Sequence, residues 1–229
     1  MRIGILGGTG DLGKGLAQRL SLHHEVMIGS REETKARSLA DSYLQEVSSA
    51  LGKKGEIKGF ENGQVIRASD VIIIALPYNT VNAFLTQMQA NFRKDQLVIS
   101  PIVPMEKGQT GFFYNPYIID GKEMSAAEIV SRALPNVESI ASAFHTVPAA
   151  RLADLSYKLD FDVLVASDSG DGWTRTASIV SDIEGLRPYY AGKLYLSRYL
   201  EPLTPLMLNV ATNNRLKQPS LKIIAERKG

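Results

Sequence analysis

Gly8-Thr9-Gly10-Asp11-Leu12-Gly13 has the G-x-G-x-x-G spacing, whose chemistry is phosphate binding rather than bond cleavage. The first glycine permits a tight turn, the second lets a pyrophosphate approach the backbone, and the third lets helix and strand pack closely. Free N–H groups and the positive end of the following helix dipole then face the phosphates. The Asp11 carboxylate would repel a pyrophosphate, so its side chain should point to solvent or cap the helix. Alone the pattern is common. Here an apolar run, Arg2 to Leu6, precedes it, and a helically spaced stripe, Leu12, Leu16 and Leu20, follows it, the context a dinucleotide site requires.

The end of the second strand selects the dinucleotide. A chain built for NAD carries an acid there to bond the ribose 2′-hydroxyl. This chain reads Gly29-Ser30-Arg31, with Lys35 one helical turn beyond Arg31. A guanidinium that forks two oxygens, a lysine point charge, and the hydroxyls of Ser30 and Thr9 fit the adenosine 2′-phosphate of NADP. The competing reading is a solvated helix face on which Glu32 and Glu33 pair the cations; it accounts for Lys35 but not for the missing acid.

The chain has no cysteine, which excludes a cysteine nucleophile, a thiolate zinc site and a cysteine-held cluster within it. Its three histidines, His23, His24 and His145, have no metal-ligand spacing, so no metal is assigned. Redox chemistry would therefore run through bound organic carriers. Three segments fall at the carboxyl ends of strands, where an open α/β sheet binds ligands. Leu76, which ends the VIIIAL run, and Pro77-Tyr78-Asn79 after it should line the nicotinamide side. Ser100-Pro101-Ile102-Val103-Pro104 makes a proline-stiffened apolar wall. His145 and Val147 follow the sixth strand. Read from position alone, the His145 imidazole either serves a ligand or satisfies a backbone carbonyl, and Tyr78 is either a site residue or a rim aromatic.

These residues need a scaffold. Strands are expected at Arg2–Leu6, Glu25–Ile28, Ile57–Phe60, Val71–Leu76, Leu97–Ser100, Ser139–Phe144 and Val163–Ala166, with helices between most of them. Ser125 and Glu128 have capping-box spacing at the start of a helix to about Leu134. Residues 105–122 read as a loop or small hairpin. One apolar helix is expected over about Leu194–Val210, buried against a partner subunit or the first domain, and the basic tail from Arg215 to Gly229 is expected to be loosely held. The alternation predicts an α/β fold, a Rossmann-type doubly wound parallel sheet over residues 1–147, and a small C-terminal α/β domain over residues 148–229 that closes a cleft. The 229 residues, 44% hydrophobic and 22% charged, suffice for such a core. A net charge of +2 is too balanced for a chain that coats nucleic acid. No apolar run approaches the roughly 20 residues that span a bilayer, and the N-terminus lacks signal-peptide form, so a cytoplasmic protein is expected.

MRIGILGGTGDLGKGLAQRL, IGSREETK, VISPIVP, SAAEIV, SAFHTVPAARL, GLRP and LTPLMLN occur in that order across nearly the whole chain. In this the sequence resembles the NADPH-dependent reductases of coenzyme F420, an 8-hydroxy-5-deazaflavin. The resemblance implies a homodimer that passes a hydride directly between the nicotinamide and C5 of a deazaflavin held in the cleft between the two domains. Carried over by position, it implies that Thr9, Ser30, Arg31 and Lys35 hold the 2′-phosphate. It places His145 and Val147 at the stacked rings, with His145 orienting a ring substituent rather than transferring a proton. Arg187, Lys193 and Arg198 are then candidates to attract the anionic tail of the deazaflavin. The excursion at 114–123 and the tail after Asn214 read as additions to the family pattern. Two alternatives use the same nucleotide site: an NADPH-dependent flavin or ferric reductase, and a non-enzymatic NADP sensor. A hydroxyacid dehydrogenase is disfavoured, because beyond residue 150 no lysine has an asparagine three or four positions on.

Overall fold

The computed structural model describes residues 1–226. Strand β1 (Arg2–Leu6) leads into helix α1 (Asp11–Leu20), β2 (Glu25–Ser30) into α2 (Glu33–Leu51), β3 (Glu56–Glu61) into α3 (Asn62–Ala68), and β4 (Val71–Ile74) into α4 (Tyr78–Met88). After β5 (Leu97–Ser100) come two hairpins, β6 (Met105–Gly108) with β7 (Gly111–Tyr114) and β8 (Tyr117–Ile119) with β9 (Lys122–Met124). Helix α5 (Ala126–Ala133), β10 (Ser139–Ser142), α6 (Ala149–Ala153), β11 (Phe161–Ser167), α7 (Gly170–Ser181), β12 (Leu186–Gly192), α8 (Ser197–Leu200) and α9 (Leu203–Asn213) complete the order.

Eight strands form one sheet in the order β12-β11-β10-β5-β4-β1-β2-β3. Every neighbouring pair is parallel except β10 with β11. Successive strands run outward from β1 in one direction and from β4 in the other. The order therefore reverses between β1 and β4, which opens a crevice above their carboxyl ends. β4, β5 and β10 are buried at every position, because helices cover both faces of the sheet. This two-sided burial explains why VIII and LVIS read as unbroken apolar runs.

Several elements differ from expectation. Beyond residue 147 the chain adds β11 and β12 to the same sheet instead of building a second one. β12 is an edge strand with Pro188 inside it and exposed Tyr189 and Tyr190, so it lacks the apolar run of a central strand. α3 begins at a capping box of Glu61 with Gln64, an acidic variant of the usual hydroxyl signal. Residues 105–124 form two hairpins. The single helix expected over 194–210 is a 3₁₀ turn followed by α8 and α9, interrupted at Glu201-Pro202, where proline offers no N–H to continue the ladder. In α9 only Pro205 and Ala211 are buried, so the burial expected for that helix does not occur within one chain. The tail is held rather than loose: Asp162 N donates to Leu221 O at 2.9 Å, and Ile223 N donates to the buried Asp162 carboxylate at 2.6 Å. Its last three residues, 227–229, lie outside the described residues.

Candidate functional site

The glycine loop sits where β1 meets α1. Gly10 is the N-cap of α1 in an extended conformation, and no side chain caps the helix, so the first-turn N–H groups are open to a ligand. Asp11 is exposed and makes no capping bond, the first of its two expected options. Gly8 and Gly13 are buried beneath the loop, while Thr9 is half-buried. The Tyr43 hydroxyl, on α2, donates to Gly8 O at 3.3 Å and fixes the loop from below.

Ser30 ends β2, and its hydroxyl accepts from Glu32 N at 3.2 Å. Arg31 and Lys35 are exposed, and among the described residues neither makes an ion pair or a side-chain hydrogen bond. Glu33 is engaged by Arg37 at 2.5 Å instead. The arrangement in which Glu32 and Glu33 neutralise these two cations is therefore absent among the described residues. An exposed, unpaired guanidinium and ammonium flank the end of β2, where an adenosine phosphate would arrive.

Above the carboxyl ends of β1, β4, β5 and β10 lies a cavity of about 620 Å³ with a mainly apolar lining. Leu12, Leu76, Pro77, Tyr78, Pro101, Val103, His145 and Val147 all line it. Ser100, the neighbour of Pro101, does not itself line the cavity; it is fully buried, with an Oγ that has no partner among the described residues. Thr9, Ser30, Arg31 and Lys35 lie outside this cavity.

The HTVPAAR segment reaches the site because α6 packs hard against α1. A Cβ on Gly15 would lie 2.8 Å from Ala153 N, so glycine sets the approach. Arg19 of α1 donates to the carbonyls of Leu152 (2.7 Å), Asp154 (2.8 Å) and Tyr157 (3.1 Å), closing the carboxyl end of α6. Phe144, just before His145, is fully buried with φ of +68°, a left-handed conformation uncommon for a bulky residue. The two carbonyls after it are tied by the C-terminal segment: Thr204 Oγ1 donates to His145 O at 2.7 Å and Ser220 Oγ to Thr146 O at 2.9 Å. A strained turn held from two sides presents His145 to the cavity.

The His145 ring bonds the backbone of Ser100, and its Nε2 is buried without a partner among the described residues. Burial pushes the imidazole down to about 4, so it is neutral at physiological pH. An orphaned buried polar atom costs about 1–3 kcal/mol, so Nε2 and Ser100 Oγ favour a ligand that offers them polar partners.

Residue reading alone missed Met105 on β6 and the C-terminal share of the wall: Thr204, Met207, Leu208, Gln218 and Pro219. The cations expected to attract an anionic tail are otherwise occupied. Arg198 forks Glu128 at 2.7 and 2.6 Å, Arg187 pairs with Asp160 and Asp162 at 2.6 and 2.7 Å, and Lys193 donates to Asp168 O at 3.1 Å. Their charge was legible, but their partners are contributed by distant segments.

Residues 2–104 match the family described as NADP oxidoreductase, coenzyme F420-dependent. The F420-dependent NADP reductase of Methanocaldococcus jannaschii is 33% identical over 97% of this chain and 98% of its own length. That of Methanothermobacter marburgensis is 34% identical over the same shares. Such coverage leaves too few residues outside the match for the whole tail after Asn214, so that tail is not an addition peculiar to this chain. The crystal structure of a candidate F420-dependent NADP reductase from Arthrobacter sp. FB24 has the same fold, with a TM-score of 0.78 at 19% identity over 98% of this chain and 100% of that one.

Proposed function

Because the chain belongs to the family of F420-dependent NADP reductases, we propose that it transfers a hydride directly between the nicotinamide of NADP(H) and C5 of the deazaflavin F420. The observation that carries this reading is the apolar cavity at the sheet's switch point, lined among the described residues by no Asp, Glu, Lys or Arg and by one histidine held neutral. Hydride transfer between two bound heterocycles needs no nucleophile or acid from the protein. It needs the two carbons held roughly 3–3.5 Å apart, aligned and away from water.

The chain's residues divide that task. Gly8 to Gly13 receive the pyrophosphate, and Thr9, Ser30, Arg31 and Lys35 receive the 2′-phosphate. Leu76, Pro77 and Tyr78 take the nicotinamide side. Ser100, Pro101, Val103, His145 and Val147 take the deazaflavin side. In this division residues 1–147 bind NADP, and residues from 148 on close the second wall. The Nε2 of neutral His145 serves a ring substituent as hydrogen-bond partner, so His145→Asn should slow turnover only modestly and weaken deazaflavin binding more than NADP binding. Its pH–rate profile between about pH 5 and 8 should parallel that of the wild type, since an imidazole that titrates near 4 is already neutral throughout.

The reading includes a homodimer. It is supported by the exposed apolar side chains on and beside α9, with Tyr199 68%, Leu206 58% and Leu216 59% exposed. Sedimentation of the wild type beside Leu206→Glu tests it: a wild-type monomer contradicts it. No helix among the described residues is long and apolar enough to cross a membrane. Both coenzymes are charged and diffusible, which suits work in the cytoplasm. Anaerobic mixing with NADPH and either oxidised F420 or FMN, followed by absorbance, tests the acceptor. Reduction of F420 in preference to FMN is expected, and the opposite preference supports a flavin reductase.

A further inference from the structure

Glu201 is a fully buried acid in the break between α8 and α9, and it does not line the cavity. Its carboxylate gathers three donors from two other elements. Oε2 accepts from Ala126 N at 2.9 Å and from the Tyr114 hydroxyl at 2.9 Å, and Oε1 accepts from Ala127 N at 3.1 Å. Ala126 and Ala127 open helix α5, and Tyr114 ends β7. Burying a carboxylate is costly, and neither a turn nor a helix cap needs one so deep.

The segments it joins carry the wall. Met105, opposite Tyr114 in the hairpin register, lines the cavity. Thr204, Met207 and Leu208 on α9 line it too, and Thr204 holds the His145 carbonyl. Asn209 locks α9 to the hairpin by accepting from Phe112 N and donating to Phe112 O, both at 2.7 Å. Hairpin and α9 thus form one unit, and Glu201 anchors that unit to α5.

We propose that Glu201 is a positioning residue for the deazaflavin-side wall: its carboxylate clamps the start of α9 and the β6–β7 hairpin onto α5 and so sets the shape of the cavity. This rests on the reading that the cavity takes the deazaflavin. The glycine loop and the Ser30–Lys35 corner belong to other elements, so the phosphate contacts of NADP are independent of the clamp; the hairpin reaches the nicotinamide side only through Tyr78, whose hydroxyl donates to Glu106 of β6 at 2.7 Å.

The clamp is strongest when ionised, because hydrogen bonds from the two N–H groups and the Tyr114 hydroxyl to a carboxylate are charge-assisted, and protonation weakens them. Burial pushes the carboxyl up to about 7, against the three hydrogen bonds that lower it. Glu128 on α5 pushes the same way, though Arg198 on α8 pairs with it; Tyr114 on β7 and Tyr117 on β8 face the acid as neutral phenols. As pH falls through about 7 the clamp weakens and deazaflavin affinity falls. Stability runs the other way. The folded carboxyl titrates above its unfolded value of 4.5, so the folded state holds a proton that the unfolded chain releases, and acidification from 7 toward 4.5 favours the fold through this group. Weaker binding without a lower melting temperature separates positioning from a merely structural role.

The test is steady-state kinetics of Glu201→Gln and Tyr114→Phe with both coenzymes across about pH 5.5 to 8.5, with melting temperatures measured alongside. The glutamine oxygen can serve Ala126 N–H and Tyr114, but its amide then opposes Ala127 N–H. At the alkaline end Glu201→Gln should raise the deazaflavin KM about tenfold and the NADPH KM by much less. Its deazaflavin KM should lack the acid-side rise that the wild type shows near pH 7. Tyr114→Phe, which loses one of the three bonds, should shift the deazaflavin KM in the same direction by less. Unchanged deazaflavin KM values in both variants would overturn the inference alone. Equal rises for both coenzymes with a fallen melting temperature would also overturn it. A wild type that takes no deazaflavin would overturn the proposed function with it.

Discussion

Gly10→Val should abolish NADP binding and leave a protein that still unfolds cooperatively near the wild-type temperature. The protein itself has room there. Gly10 is extended, with φ of −92° and ψ of 170°, a conformation open to any residue, and a Cβ would meet only Gly7 O at 3.4 Å. What valine would fill is the space above the open N–H groups of the first turn of α1, where a pyrophosphate must come within hydrogen-bond distance. Gly13 is the control. A Cβ there would lie 2.7 Å from Gly8 Cα, so Gly13→Ala should damage the loop and the fold together. Calorimetry with NADP and thermal melts of both variants separate the two roles. Retained binding by Gly10→Val would mean that the loop is only a structural turn.

The second large effect concerns which nicotinamide coenzyme is accepted. Arg31→Ala should weaken NADPH about ten- to a hundredfold, since a charged hydrogen bond contributes about 1.5–3 kcal/mol in a favourable site. NADH should bind the variant and the wild type alike. Because Arg31 and Lys35 are exposed and unpaired among the described residues, removing either should leave stability unchanged, and the whole effect should appear in binding. Removing both should take away most of the preference for the phosphorylated coenzyme. Equal weakening of both coenzymes by Arg31→Ala would place the 2′-phosphate elsewhere.

Much of this architecture is visible in the residues, for a physical reason. A parallel strand buried on both faces must be apolar throughout, so Val71–Ile74 and Leu97–Ser100 stand out. The box of Ser125 with Glu128 reports its own helix start, because both bonds close within four residues. Elements whose stability comes from distant partners leave no such mark. The edge strand β12 is half exposed, and its pairing depends on β11. The β6–β7 hairpin is fixed by Asn209 and Glu201, far along the chain.

The candidate site divides along the same line. The glycine loop and the Ser30-Arg31 corner are local features of one strand–helix turn each, and spacing reveals them. The part of the cavity wall built by Thr204, Met207, Leu208 and Pro219 has no spacing to reveal it, because long-range bonds hold α9 and the tail there, among them Thr204 Oγ1 to His145 O and Ser220 Oγ to Thr146 O beside the strained turn at Phe144. Arg187 and Arg198 show the converse. Their charge suggested an anionic ligand, yet folding delivers Asp160, Asp162 and Glu128 to them.

Direct passage of a hydride between two bound rings is tested by following NADPH deuterated at the transferable C4 position through turnover with oxidised deazaflavin in ordinary water. Retention of the label at C5 of the reduced deazaflavin is expected, without wash-out. Hydrogen derived from solvent at C5 would contradict direct transfer.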